Sequence, residues 1–272
     1  MGDNLNDVNN NVSEKMRYKN TNRLFNVLKV VFKRIVFLIS LFFKKINVTD
    51  FKICNIKVKL SKEGRSTIIF IFSLFILFFI CFGFSFLTAV LFLILLLTVY
   101  FFRDPERVLP NRNNIVVSPC DGLILNIEPS HLPSELRSGN IDEYIKISVF
   151  MNIADVHVQR IPVDCKVKQV EYIKGAFINA SFDKASKDNE RNIVLVEREN
   201  GDNICIVQIA GLVSRRIVCN LTKDEICKIG ERYGMIKFGS RIELYLPRNY
   251  NIEVLPGQRL VCGETVVASF ER

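Results

Sequence analysis

From Ser66 to Phe102 the chain runs 37 residues without a charge: STIIFIFSLFILFFICFGFSFLTAVLFLILLLTVYFF. A soluble core of this size would not need 22 phenylalanines with so many in one block. One helix crosses a bilayer with about 20 apolar residues, so the run is too long for a single upright span. Two short helices of about 16–18 residues, turning near Cys81–Ser85 around Gly83, fit it, each reaching ~24–27 Å. The alternative is one long, strongly tilted helix. Lys62 and Arg65 precede the run, and Arg103 and Arg107 follow it. Positive flanks stay in the cytoplasm, which favours the hairpin and puts the rest of the chain on the cytoplasmic side of the cell (inner) membrane. The run starts too late for a signal peptide and lacks a small-residue cleavage pattern.

The charge of the chain has an equally uneven distribution. The 272 residues carry a net +9, yet from Arg103 onward 23 basic residues balance 23 acidic ones. Residues 1–60 hold twelve basic and four acidic residues, so the excess belongs to the N-terminal quarter. A nucleic-acid-binding body would carry its charge on the folded domain, so no nucleic-acid partner is expected. Anionic membrane lipid is. Residues 1–22 are polar, Asn-rich and expected to be disordered. Residues 23–60 form a basic amphipathic extension. Within it, the uncharged core Ile35–Phe43 is too short to span and reads as an interfacial helix, with an ordinary amphipathic surface helix as the alternative. Phe51–Leu60 alternates like a strand. Residues 61–102 are the hydrophobic membrane segment.

Residues 103–272 are enough to bury a core. Short β-like runs dominate, among them Ile115–Val117, Leu123–Ile127, Ile145–Met151, Val167–Ile173, Ile193–Glu197, Ile204–Ile209, Ile242–Leu246 and Leu260–Ser269. Pro119, Gly122, Gly201, Pro247, Gly257 and Gly263 punctuate them. Only Lys184–Asn192 and Lys223–Lys228 suggest short helices. The expected fold is a mainly β (α+β) soluble domain preceded by a transmembrane helical hairpin. Asp224–Glu231 and Gly257–Glu264, 33 residues apart, echo each other as turn, short apolar stretch and Gly-Glu, similar to the hairpins of lipoyl-type domains. The eight cysteines are scattered without Cys-x-x-Cys and read as small packed hydrophobes in a reducing compartment. With two histidines and no ligand cluster, no metal is expected.

Common catalytic signatures are missing: there is no phosphate loop, no His-Glu-x-x-His and no Gly-x-Ser-x-Gly. His131 sits in a loop between prolines and is expected in solvent. His157 closes an apolar strand before Pro162. Asp121 lies in a turn, and Gly239-Ser240 lies inside a strand pattern, where a glycine hints at a bulge or close approach. Each has a bland reading alone.

Taken in order, these segments carry more. They are Phe101-Phe-Arg-Asp-Pro-Glu-Arg107, Ser118-Pro-Cys-Asp-Gly122, Phe150-Met-Asn-Ile-Ala-Asp-Val-His-Val-Gln-Arg160, Asn189-Glu-Arg-Asn192, Gln208-Ile-Ala-Gly-Leu-Val-Ser-Arg-Arg-Ile-Val-Cys219 and Gly234–Pro247. The sequence from about Ser61 to the C-terminus closely resembles the short prokaryotic phosphatidylserine decarboxylases. The first 60 residues lie outside the likeness. The resemblance implies self-cleavage between Gly239 and Ser240 into a β chain, 1–239, and an α chain, 240–272. Ser240 attacks the preceding carbonyl to give an ester, and elimination and hydrolysis leave a pyruvoyl group in its place. That cofactor forms a Schiff base with the amine of phosphatidylserine, so that CO₂ leaves and phosphatidylethanolamine results. A hydroxyl nucleophile needs a base and the base an orienter. His157 and Asp121 are the available pair. Arg103, Arg107, Arg215 and Arg216 are candidate partners for the lipid phosphate. The expected assembly is the α/β heterodimer, with a higher oligomer left open. Two departures stand out: Arg160 occupies the place of a second histidine in longer family members, and Cys120 replaces the usual alanine. A non-catalytic, membrane-anchored β-barrel adaptor and a decarboxylase of another serine-headed lipid are the alternatives.

Overall fold

The computed structural model describes residues 50–53, 56–136, 143–180, 188–212, 216–237 and 239–271. The expected N-terminal tail and most of the basic extension lie outside these residues, as does Arg215. The chain divides into two units: Gly64–Thr98 falls in one, Phe51–Glu63 and Val99–Arg272 in the other.

The uncharged run forms two helices, α1 (Arg65–Phe82) and α2 (Phe86–Phe101). The chain breaks between them at Gly83. Gly83 adopts φ 58°, and its N–H returns to the Phe79 carbonyl at 2.9 Å, a left-handed C-terminal stop that glycine adopts without a Cβ penalty. Ser85 and Thr88 then cap α2 reciprocally: Ser85 N–H donates to Thr88 Oγ1 at 2.8 Å, and Thr88 N–H to Ser85 Oγ at 3.4 Å. The helices touch through Phe75 and Phe92, ring centroids 5.6 Å apart. Phe84 and Phe86 at the turn stand almost fully in the open. With the short turn before it, Lys62–Phe82 is long and apolar enough to cross a membrane, whereas Phe86–Phe101 is shorter.

The second unit is β throughout its described residues, apart from a 3₁₀ turn at Lys62–Gly64 and the end of α2. Its strands, with one residue of β1 beyond the unit boundary, are β1 (Asp50–Ile53), β2 (Ile56–Lys59), β3 (Ile115–Val117), β4 (Gly122–Ser130), β5 (Tyr144–Met151), β6 (Val158–Arg160), β7 (Cys165–Ile173), β8 (Arg191–Glu197), β9 (Asn203–Ala210), β10 (Ile217–Cys219), β11 (Ile226–Cys227), β12 (Arg232–Ile236), β13 (Ser240–Pro247), β14 (Asn251–Ile252), β15 (Arg259–Leu260) and β16 (Val266–Ser269). An eight-stranded antiparallel sheet runs β11-β7-β8-β9-β13-β5-β4-β15, beside three-stranded sheets β10-β12-β6 and β14-β16-β3. Alternation along β13 points Ile242, Leu244 and Leu246 into the main core and Tyr245 into a smaller cluster on the other face. Ile217, Tyr233 and Ile236 from one small sheet and Val267 and Ala268 from the other close over the same main core.

The helix expected at Lys223–Lys228 is instead a turn followed by β11. The reason is the echo itself. Asp224 N–H donates to Val167 O and Gly257 N–H to Ile124 O; Val167 N–H donates to Glu225 O and Ile124 N–H to Gln258 O. Gly230 N–H reaches Ile161 O, and Gly263 N–H reaches Ser118 O. Bond for bond, the two segments repeat with an offset of 33, and they supply the two edge strands of the large sheet. The other expected helix, Lys184–Asn192, lies partly outside the described residues, and its end, Arg191–Asn192, opens β8. Leu260–Ser269 is two short strands, β15 and β16, parted by a turn at Gly263.

Candidate active site

Ser240 is the first residue of β13, in the middle of the large sheet, paired with Met151 of β5 on one side and Ala210 of β9 on the other. Its side chain is fully buried, and its Oγ has no hydrogen-bond partner among the described residues. A buried hydroxyl left unpaired costs about 1–3 kcal/mol. Gly239 before it adopts φ 61°. A Cβ there would meet nothing within 4 Å, so the backbone angle calls for glycine, rather than a lack of space.

His157 shows the same pattern. Its ring is fully buried against Phe101, with centroids 4.4 Å apart, and Nε2 has no partner among the described residues. Nδ1 lies 2.9 Å from the Asp155 carbonyl. A carbonyl only accepts, so Nδ1 carries the proton and Nε2 presents a bare lone pair. Burial pushes the imidazole pKa down to about 4, against the opposing pull of the Asp155 carbonyl. The ring is therefore neutral at physiological pH and shaped as a base.

Asp121 is placed differently from the expectation of a direct orienter. Its carboxylate accepts from Arg107 Nη2 at 2.8 and 2.9 Å, from Cys262 N–H at 2.7 Å and from Val156 N–H at 3.4 Å. It makes no hydrogen bond to His157 among the described residues, although its charge favours the protonated ring. The ring is oriented by Asp155, which the sequence analysis did not single out. Asp155 Oδ2 accepts from Asn152 N–H at 2.8 Å, closing a tight turn, and Oδ1 pairs with Arg259. A residue acting through its main-chain carbonyl leaves no side-chain signature. Only its position two before the histidine pointed to it.

The arginines divide. Arg107 is engaged with Asp121. Arg103 donates to the Ala154 carbonyl at 2.6 Å and the Tyr100 carbonyl at 3.0 Å, with its guanidinium 4.0 Å from the Tyr100 ring centroid. Arg216 is exposed, and its carbonyl accepts from Lys237 N–H at 3.3 Å. Lys237, another residue not singled out, therefore sits beside Arg216 two positions before Gly239. Burial and Arg216 lower its pKa. Arg160 donates to the Gly230 carbonyl at 2.9 Å and pairs with buried Asp104, so it braces the fold. The Cys120 thiol is buried, and that burial raises its pKa well above the ordinary range. His131 is exposed.

Comparison with known proteins identifies the family. The family model for phosphatidylserine decarboxylase matches residues 94–268. A phosphatidylserine decarboxylase proenzyme of Rickettsia bellii is 49% identical over 174 residues, 64% of this chain and 75% of the relative. That of Rickettsia typhi is 48% identical over the same length. That of Wolbachia pipientis wMel is 41% identical over 177 residues, 65% of this chain and 77% of the relative. The chain belongs to the phosphatidylserine decarboxylase family.

Proposed function

We propose that the chain is a proenzyme that cuts itself between Gly239 and Ser240 and then decarboxylates phosphatidylserine to phosphatidylethanolamine. The observation that carries this reading is that Ser240 Oγ and His157 Nε2 are buried and without partners among the described residues. In the cleavage, Ser240 Oγ adds to the Gly239 carbonyl carbon, the peptide C–N bond breaks, and the Oγ proton passes to the freed amine. His157, neutral and with its buried Nε2 lone pair uncommitted among the described residues, is the base that carries that proton. Loss of the Ser240 α-proton expels the Gly239 carboxylate and leaves dehydroalanine. Water then releases ammonia and leaves a pyruvoyl group.

Ser240 lies where such a group would sit enclosed, and the orphaned hydroxyl is the atom its formation consumes. When formed, the group supplies a carbonyl that condenses with an amine and draws electrons from its α-carbon. The protein's own residues hold the headgroup and keep water out. Of the described candidate arginines, Arg216 is the exposed one, beside Lys237, and is the proposed partner for the lipid phosphate. Arg103 and Arg107 act through Ala154 and Asp121 instead. Helices α1 and α2, with Phe84 and Phe86 at their turn, anchor the enzyme in the inner membrane. The basic N-terminal extension adds attraction to anionic lipid, at about 1 kcal/mol per basic residue near the surface.

The test is release of CO₂ from carboxyl-labelled phosphatidylserine in detergent micelles. Activity abolished by hydroxylamine or by cyanoborohydride with substrate supports the reading. Activity indifferent to both contradicts it. Replacing Phe84 and Phe86 by Asp is expected to move protein from the membrane pellet toward the soluble fraction while leaving self-cleavage intact.

A further inference from the structure

The atom that must stay put during self-cleavage is the Gly239 carbonyl, since the Ser240 hydroxyl has to reach its carbon at a fixed angle. That carbonyl is seated on a second glycine. A Cβ added at Gly211 would fall 2.1 Å from the Gly239 oxygen and 3.0 Å from the Gly239 carbon. The first is shorter than any real Cβ contact and the second tighter than nearly all, and what they strike is backbone. Gly211 follows directly on Ala210, the residue paired with Ser240 across the β9–β13 ladder. Ala210 is itself held from two sides. Its N–H donates to the Glu190 carbonyl at 2.9 Å, and its carbonyl accepts from Asn189 Nδ2 at 2.7 Å. Asn189 is fully buried and is fixed in turn by Ile178, donating to its carbonyl at 2.7 Å and accepting from its N–H at 2.9 Å.

Resting on the self-cleavage reading above, we infer that Gly211 is a positioning residue for that reaction: its bare Cα is the seat of the scissile carbonyl, and Asn189 holds the seat through Ala210. A methyl at 211 displaces the carbonyl by about an ångström or more, a misplacement of the kind that costs about 100-fold in rate. Gly234 provides a matched control. A Cβ there would also strike backbone, at 2.3 Å from the Val218 oxygen, but that carbonyl is not the one attacked.

The experiment follows intact mass of the full chain over time in detergent, with hydroxylamine to cut any ester at 239–240. Wild type, Gly211→Ala, Gly234→Ala and Asn189→Ala are compared, with thermal melting referred to Ser240→Ala. The inference expects Gly211→Ala to melt as a folded chain, to be cleaved about 100-fold more slowly, and to accumulate no hydroxylamine-sensitive ester. Folded Gly234→Ala should be cleaved at close to the wild-type rate. If Gly211→Ala does not fold, Asn189→Ala, which adds no atom, decides: slowed cleavage in a folded chain supports the inference, and the wild-type rate overturns it. Cleavage of Gly211→Ala at the wild-type rate also overturns it, as does failure of both variants to fold, which would make the role structural. A wild-type chain never cleaved at 239–240 would instead sink the self-cleavage reading itself.

Discussion

Strand β13 carries two kinds of buried polar group within four residues, and they are treated in opposite ways. Arg241 and Glu243 are as deeply buried as Ser240, yet they pair with each other. Their side chains lie 3.0 Å apart, Arg241 donates to Ser148 Oγ at 2.8 Å, and Glu243 accepts from the Tyr245 hydroxyl at 2.8 Å. Ser240 Oγ, and His157 Nε2 after the β5–β6 turn, have no hydrogen-bond partner among the described residues. Buried polar groups are normally paired, and exceptions mark strain or chemistry. Asn126 Oδ1, Gln159 Nε2 and the Tyr233 hydroxyl are also buried without a partner among the described residues, so what sets Ser240 and His157 apart is the missing partner joined to the chemistry of a nucleophile and a base.

The contrast breaks first at Ser240. Ser240→Ala should end cleavage and decarboxylation completely while leaving the melting temperature equal or higher, because the substitution removes an unsatisfied hydroxyl. A large loss of stability would mean that the hydroxyl has a structural partner. Next, His157→Ala should slow cleavage by about 10²–10⁴-fold, the usual reach of a general base; normal processing on the same gel time course would remove it from the mechanism. Glu243→Ala should do the reverse. Breaking a buried pair costs about 3–5 kcal/mol, readable as a lower denaturation midpoint, while the fraction that folds should still be cleaved.

The smallest effect is with acid. The folded His157 pKa, about 4, lies below its unfolded value of 6.5. Between these values the unfolded chain binds a proton that the native one refuses. Stability is therefore intact above about pH 6.5 and falls as pH drops toward 4, by about 3 kcal/mol in all. Denaturation midpoints of His157→Gln, measured across the same range, should lose this part of the acid dependence. An unchanged profile would place the titration elsewhere.

Much of the β body was legible because its apolar runs are long. Ile145–Met151 and Ile242–Leu246 fall inside β5 and β13, where both faces are covered and most positions are apolar. The two-residue strand β11 was not legible. Lys223–Lys228 is charged at helix-like spacing, and its extended form is set by the distant edge of β7. Gly239, Ser240 and His157 could be picked out from motif order. That Ser240 Oγ and His157 Nε2 lack partners among the described residues could not, since it depends on nonlocal packing. Asp121 was picked out as well, but its bond to Arg107 and the orienting carbonyl of Asp155 arise from nonlocal packing and from main-chain geometry that residue types do not encode.

The most direct measurement is the intact mass of the purified full-length protein, before and after hydroxylamine. Self-cleavage predicts two polypeptides, of 239 and 33 residues, with the shorter one lacking a free amino terminus and shifting in mass as its terminal ketone forms an oxime. A single 272-residue chain with full decarboxylase activity and no mass shift would contradict the account.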